Sequence, residues 1–235
     1  MTTIASVLQI TGVRKSYGGL RPLRIQSLAV VSGERVAMTG LDAAAAEIMV
    51  NLVTGASLPD EGEIRVFGKR TADVASGEAW LASLDAFGIV TDRAVVLEGA
   101  TLAQNLALPF TLAIDPIEPE TRERIVRLAE ECDIAPEWLE QQAGALPPAV
   151  RARTHLARAI ALGPALLLME HPTAALPEAE RGAFGAVVAR VCEARALTTL
   201  AFTLDTAFAT VFARRTLALN GATGELRPVK KGWFR

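Results

Sequence analysis

Apolar positions along the chain fall into two periods. From Val7 to Val36 apolar and polar residues alternate, with turns at Ser16-Tyr17-Gly18-Gly19 and Ser32-Gly33, which predicts short antiparallel strands. Val36-Ala37-Met38 is instead a short apolar run of the kind that makes a buried strand. Gly40 breaks it, and Ala43 to Val53 follow as a helix with Ile48, Leu52 and Val53 on one face. Glu61 to Gly68 predicts a hairpin strand, Ala79 to Phe87 a helix, and Ile89-Val90 a short buried strand. Thr121 to Cys132 is a charged amphipathic helix, and Pro136 to Gln142 a shorter one. Gly163-Pro164 stops the helix before it, and Ala165 to Met169 reads as a buried strand. A helix from Glu178 to Ala194, a strand from Thr198 to Phe202 and two short strands complete the pattern. No internal repeat interrupts it. The expectation is one α/β domain.

Composition narrows the class. At 235 residues, with 51% hydrophobic and 21% charged, the chain is globular and long enough for one large core. A formal charge of −2 gives no reason to expect nucleic acid as a partner. Cys132 and Cys192 are far apart and outside any metal-spaced pair, so they read as free thiols of a reducing cytosol. The opening MTTIASVLQI lacks the basic and apolar regions of a signal peptide. No stretch approaches the roughly 20 apolar residues of a membrane helix. The expected protein is soluble, with any membrane link made through a partner or its surface. Lys230, Lys231, Trp233, Phe234 and Arg235 mix cations with aromatics, which suits a membrane surface or the groove of a membrane partner; the plainer reading is a frayed terminus.

A strand, a glycine turn and a helix in that order frame a phosphate-binding loop, which aims free amides and a helix dipole at an anion. The working pattern is G-x-x-x-x-G-K-[ST]. Here the register reads Gly40-Leu41-Asp42-Ala43-Ala44-Ala45-Ala46-Glu47, and only the first glycine survives. Asp42 is a favoured N-cap before four alanines, so its carboxylate is expected to take the amides a phosphate would use.

Further on, Leu52-Val53-Thr54-Gly55, Pro59, Gly62 and Gly68 match "L-x-x-G…P-x-x-G-x-v-x-x-x-G". From these residues the chain resembles the ATP-binding subunit, or nucleotide-binding domain, of ABC transporters. The resemblance covers essentially the whole chain, 1–235, as one domain. It implies a P-loop NTPase core of ABC type, an antiparallel β-subdomain, and a helical subdomain over about residues 93–160 that faces a permease. Thr101 to Phe110 is similar to "T-v-x-E-N-V-x-L-P-l", the form found in the lipoprotein-release, MCE lipid-transport and MacB-like branch. Tyr17 matches the aromatic that stacks on adenine, although an ordinary turn tyrosine reads equally well. Asp92 stands at the Q-loop glutamine. Leu146-Pro147-Pro148-Ala149-Val150 occupies the signature L-S-G-G-Q, followed by Ala157-Arg158-Ala159-Ile160 for "A-R-A-L". Glu170-His171-Pro172-Thr173-Ala174-Ala175-Leu176-Pro177 lies over "D-E-P-T-S-A-L-D", and Thr203-Leu204-Asp205 over "T-H-D".

The replacements remove chemistry. Phosphoryl transfer depends on positioning and charge stabilisation. Ala46 replaces the lysine that reaches the phosphates, Glu47 replaces the hydroxyl that binds Mg²⁺, and Ala45 puts a methyl where glycine permits close approach. Pro147 and Pro148 replace signature donors, and proline has no N–H to give. His171 replaces the catalytic glutamate, Leu204 the switch histidine and Pro177 the D-loop aspartate, so no catalytic residue is expected. Glu170 keeps the charge of the Walker B aspartate. Carried over in register, Glu47, Asp92, Glu170 and His171 converge near the family's magnesium position, a cluster that would suit a divalent cation; hydrated acids are the plainer alternative.

The resemblance therefore implies a pseudo-ATPase that serves as a structural or regulatory subunit under an integral-membrane permease. It would be a homodimer or a heterodimer with another ABC ATPase subunit, peripheral on the cytoplasmic face of the membrane. ATP would bind weakly or not at all, with Mg²⁺ left open. Two alternatives stand beside it: a conventional ATP-hydrolysing subunit, and a stand-alone scaffold or divalent-metal-binding protein.

Overall fold

The computed structural model describes residues 6–18 and 21–229; Gly19 and the basic, aromatic tail from Lys230 to Arg235 lie outside them. In chain order the elements are β1 (Ser6–Lys15), β2 (Leu23–Val31), β3 (Arg35–Thr39), α1 (Ala43–Val53), β4 (Glu61–Val66) and β5 (Lys69–Arg70). Then follow α2 (Gly77–Ser83), β6 (Phe87–Val90), α3 (Leu102–Ala107), α4 (Pro119–Glu131), α5 (Pro148–Ile160) and β7 (Leu166–Glu170). The chain closes with α6 (Glu178–Ala194), β8 (Thr198–Phe202), α7 (Thr206–Phe212), β9 (Arg215–Leu219) and β10 (Leu226–Pro228).

Every residue of β7 and β8 is buried, which is what a strand covered on both faces by other layers requires. They belong to a six-stranded sheet in the order β10-β9-β3-β8-β7-β6. The β9, β3, β8, β7 and β6 neighbours run parallel, and β10 closes one edge antiparallel. The alternating N-terminal stretch builds a separate antiparallel sheet in the order β2-β1-β4-β5.

Helix α1 fills the space between the two sheets. Ala46, Met49, Leu52 and Val53 pack there with Leu8, Ile10 and Ile64 of the antiparallel sheet and with Leu166, Leu168, Leu200 and Phe202 of the parallel one. The alternate residues Leu167, Met169, Ala37 and Ala201 face the opposite way, into a core shared with Leu102, Ile125, Val150, Ile160, Val188 and Phe208 of the helices. A period of two in buried strands thus divides one sheet between two cores. Cys132 and Cys192 are free and buried in the helical core, and burial, then the Glu131 charge, pushes the Cys132 thiol up to about 12. Among the described residues no helix is long and apolar enough to cross a membrane.

Several elements differ from the sequence expectation: in β6 Val90 is buried but Ile89 is exposed, and α3 and α7 lie where the pattern gave no helix. The helix placed at Ala79 to Phe87 begins at Gly77, capped by the Ser76 hydroxyl, and ends as α-helix at Ser83, because Phe87 is drawn into the sheet opposite Leu166. Pro136 to Gln142 contains only a 3₁₀ turn over Pro136–Trp138. On α1 the buried face runs through Ala46, Met49, Val50 and Val53, and Ile48 sits at its half-exposed margin. With sheets on two sides, α1 needs a wider apolar surface than the one stripe its spacing suggested.

Two glycines separate space from backbone freedom. A Cβ on Gly88 in β6 would lie 2.4 Å from the Ala159 carbonyl oxygen and 2.9 Å from Pro164 Cγ, so β6 presses directly on the end of α5. Gly182 in α6 has nothing within 4 Å. Gly88→Ala is expected to destabilise the fold by about 1–3 kcal/mol through overpacking. Gly182→Ala should stabilise it by about 0.4–1 kcal/mol through helix propensity. Chemical denaturation of both variants checks this; an unchanged midpoint for Gly88→Ala contradicts the packing.

Candidate functional site

The carboxyl ends of β3, β6, β7 and β8 open on the same edge of the parallel sheet, the usual location of ligand sites in such sheets. Each strand delivers candidate residues just beyond its last position. After β3 come Gly40, Asp42 and, on α1, Ala45 to Glu47; after β6, Asp92 and Arg93; after β7, His171; after β8, Leu204 and Asp205.

Gly40 makes the turn with φ +91°, and a Cβ there would meet the Leu219 carbonyl oxygen at 2.7 Å. The chain can turn this tightly against β9 only with glycine. Asp42 then takes extended backbone, and its Oδ1 accepts a hydrogen bond from the Ala45 N–H at 2.8 Å. The N-terminal end of α1 is capped by its own side chain. Ala45 is buried, and Ala46 is wholly buried against the α1 core. Tyr17 lies near this turn, half-buried against the same core; slight burial, then the Asp42 charge, raises its phenol.

Beyond the loop the arrangement centres on Arg93, which the motif comparison passed over. Its Nη1 lies 2.5 Å from Glu47 Oε1, and its Nη2 donates to Glu170 Oε2 at 2.5 Å. The Glu170 side chain is 6% exposed, so its charge depends on this partner, whereas Glu47 and Arg93 are about half in water. Burial lowers the Arg93 pKa, but the hydrogen bonds that Arg93 donates to Glu170 and Glu47 outweigh it and the net shift is upward. Arg93 is separated in sequence from Glu47 by three strands and a helix and from Glu170 by the helical layer. No local spacing could have revealed the contact.

Glu47, Asp92, Glu170 and His171 do not form the expected cation cluster. Among the described residues no group of three or more His, Cys, Asp or Glu side chains could hold a metal ion. The Arg93 guanidinium stands between Glu47 and Glu170. Asp92 instead lines a cavity of about 300 Å³ with Pro148, Arg151, His155 and His171. In that cavity burial, then the Arg158 and Arg151 charges, lower the His155 pKa against an opposing pull from Asp92.

His171 is held at φ +41° by its N–H, which donates to the Phe202 carbonyl at 2.8 Å, and its Nε2 is buried without a partner. Leu204 is 61% exposed beside a smaller hollow of about 170 Å³ that also touches His171, Thr173 and Arg181. Its neighbour Asp205 is structurally committed: it accepts from Thr173 Oγ1 at 2.7 Å and caps α7 through the Phe208 N–H at 3.0 Å. Pro147 and Pro148 begin α5 without a side-chain cap, Ala149 is half-buried behind them, and Pro177 starts α6 in the same way.

A parallel P-loop-type sheet joined through α1 to an antiparallel sheet, with a helical layer on its other face, is the ABC-cassette fold. By fold and by sequence the chain belongs to the ATP-binding-cassette family of ABC transporters, as a nucleotide-binding domain. An iron(III) import ATP-binding protein, FbpC, from Mesorhizobium japonicum is 30% identical over 215 residues, covering 92% of this chain and 58% of that protein. A methionine import ATP-binding protein, MetN, from Brucella abortus is 30% identical over 178 residues, covering 74% of this chain and 46% of that protein. The chain thus spans about half the length of the curated relatives it matches. No protein-family model matches it. Among solved structures, the ATP-binding cassette MJ0796 in a dimeric post-hydrolysis state with ADP and Pi superposes with TM-score 0.76 at 23% identity, over 95% of this chain and 98% of that one. CbiO1 from Clostridium perfringens does so with TM-score 0.75 at 17% identity, over 91% and 84%. These relatives carry the family and do not carry the finer branch that Thr101 to Phe110 suggested.

The cap makes a direct prediction. Asp42→Ala should lower stability by about 1 kcal/mol, and Asp42→Ser should restore most of it, because serine also accepts from the helix amides. Denaturant midpoints for the two variants check this; equal stability of wild type and Asp42→Ala contradicts the capping role.

Proposed function

We propose that this cassette has lost ATP hydrolysis and serves as a structural or regulatory pseudo-ATPase beneath a membrane permease. The observation that carries the reading is the Asp42 carboxylate on the Ala45 amide, with the Ala46 side chain buried behind it. The end of α1 that would receive phosphates is already met by an anion of the chain. Where a lysine would meet the phosphates, a methyl group faces the core. Glu47 adds a negative charge at the same place, and its partner Arg93 is shared with Glu170. Pro147, Pro148, His171 and Leu204 support the same reading at the positions that would complete hydrolysis.

The family resemblance supports further parts of the proposal. The helical subdomain, residues 93–160, would face the permease. A groove of about 390 Å³ lined by Ile89, Leu108, Pro109 and Leu162, with exposed Val95 beside it, offers apolar surface for a permease segment. The subunit would pair with itself or with another ABC ATPase subunit and lie on the cytoplasmic face of the membrane. The competing reading is a conventional ATP-hydrolysing subunit, and the names of the FbpC and MetN relatives favour it.

Equilibrium binding of ATP, with and without Mg²⁺, separates the two. The expected result is no submillimolar, Mg²⁺-dependent affinity and no turnover above background. Ala46→Lys with Glu47→Ser should improve ATP binding yet leave turnover at background, because Pro147, Pro148, His171 and Leu204 remain and interacting catalytic groups fail together. Submillimolar Mg²⁺-dependent binding with turnover by the unaltered chain overturns the proposal and establishes the conventional ATPase.

A further inference from the structure

Arg93 sits at the start of the segment that leads from β6 to α3, the covalent route from the parallel sheet into the helical layer. Its two short ion pairs reach different elements: Glu47 on α1, and Glu170 at the end of β7. The rest of the segment is anchored to the helical layer. Val95 receives a hydrogen bond on its carbonyl from Arg158 Nη1 at 2.6 Å. Asn105 holds Leu97 from both sides, accepting from its N–H at 2.9 Å and donating to its carbonyl at 3.0 Å. Glu98 and Ala100 accept from the Gly144 and Ala143 amides at 3.0 and 2.9 Å.

The division is sharp. Past Thr91, the named hydrogen bonds and ion pairs of this segment tie it to the helical layer or to itself, and Arg93 ties it back to α1 and β7. We infer that Arg93 is an internal cation latch, which fixes the segment 94–101, and through it the helical layer, against α1 and β7 without any bound ligand. The inference rests on the ion pairs and their connectivity, and it stands whether or not the chain hydrolyses ATP. A planar guanidinium is suited to the role, because its separate nitrogens meet two carboxylates at once, as the ammonium of lysine does less well. The latch also fixes how Val95, 73% exposed, and Leu97, 41% exposed, are presented at the surface.

Hydrogen exchange on the full chain tests the latch, read by mass spectrometry or NMR at the amides of Leu97, Ala100 and Leu102, with the amides of β7 and β8 as internal reference. Arg93→Gln should speed exchange in 94–102 at least tenfold relative to wild type while the β7 and β8 amides change less than twofold. Glu47→Gln removes only the exposed arm and should give a smaller increase in the same peptides. It also provides the test if Arg93→Gln fails to fold around an unpaired Glu170. Arg93→Lys should fall between wild type and Arg93→Gln. Unchanged exchange in 94–102 for both Arg93→Gln and Glu47→Gln overturns the inference. Equal acceleration of 94–102 and of the β7 and β8 amides also overturns it, since that marks a general loss of stability and not a latch.

Discussion

Burial of the parallel sheet on both faces is the constraint from which the rest of this structure follows. β3, β7 and β8 carry apolar side chains in both directions, so each must be covered twice, once by α1 with the antiparallel sheet and once by the helical layer. Polar side chains are few along these strands, and those of Thr198 and Thr199 at the start of β8 are hydrogen-bonded to Gly33 and Cys192. The polar residues therefore collect where the strands emerge, and parallel strands emerge together at one edge. Glu47, Arg93, Glu170, His171 and Asp205 are neighbours for that reason, although they are scattered along the sequence. The fold makes a site whether or not the residues there perform chemistry.

Apart from His171, whose Nε2 is buried without a partner, the groups named at this edge satisfy one another. A phosphate-binding helix end must leave its amides free while the site is empty, and free buried amides are costly. Here the Asp42 carboxylate takes one of them. Two carboxylates near each other, one almost fully buried, would repel and pay a desolvation penalty without a cation. Here Arg93 supplies the cation from the chain. The half-exposed Glu47–Arg93 contact is screened by water and adds little stability by itself. The buried Glu170 is different, since its charge has Arg93 as its partner. Arg93 thus makes Glu170 tolerable inside the fold and, by the same contact, ties the β6–α3 segment to the end of β7.

The architecture was largely legible because burial writes periodicity into sequence. The continuous apolar runs around Met38, Leu167 and Leu200 marked the parallel strands, and the alternation from Val7 marked the antiparallel sheet. The Asp42 cap was legible as well, since a cap is a local event within three residues. Helix ends at Ser83 and Trp138 were not, because they are set by what the chain must do next: Phe87 must enter the sheet, and Gln142 must bridge to Thr101. The misplaced metal cluster has the same origin. Motif register correctly brought Glu47 and Glu170 to one edge. It carried no information on Arg93, whose type had no assigned place in the pattern. It also sent Asp92 to that cluster, whereas the strand end directs it toward His155.

The coupling between these residues changes what any single reversion would mean. Restoring a hydroxyl at Glu47 would not simply recreate a ligand position, because it would also take from Arg93 one of its two anions. Arg93 would then lie wholly on Glu170, the carboxylate that a bound cation would need. A lysine at Ala46 would enter a region that already holds a guanidinium and an N-capping aspartate. Groups in one network depart from additivity, so the loop, the β6–α3 segment and the end of β7 form a single coupled unit. A site closed by a ligand has a population that follows ligand concentration. The contacts of Asp42 and Arg93 are instead made within the covalent chain, so they carry no such dependence on concentration.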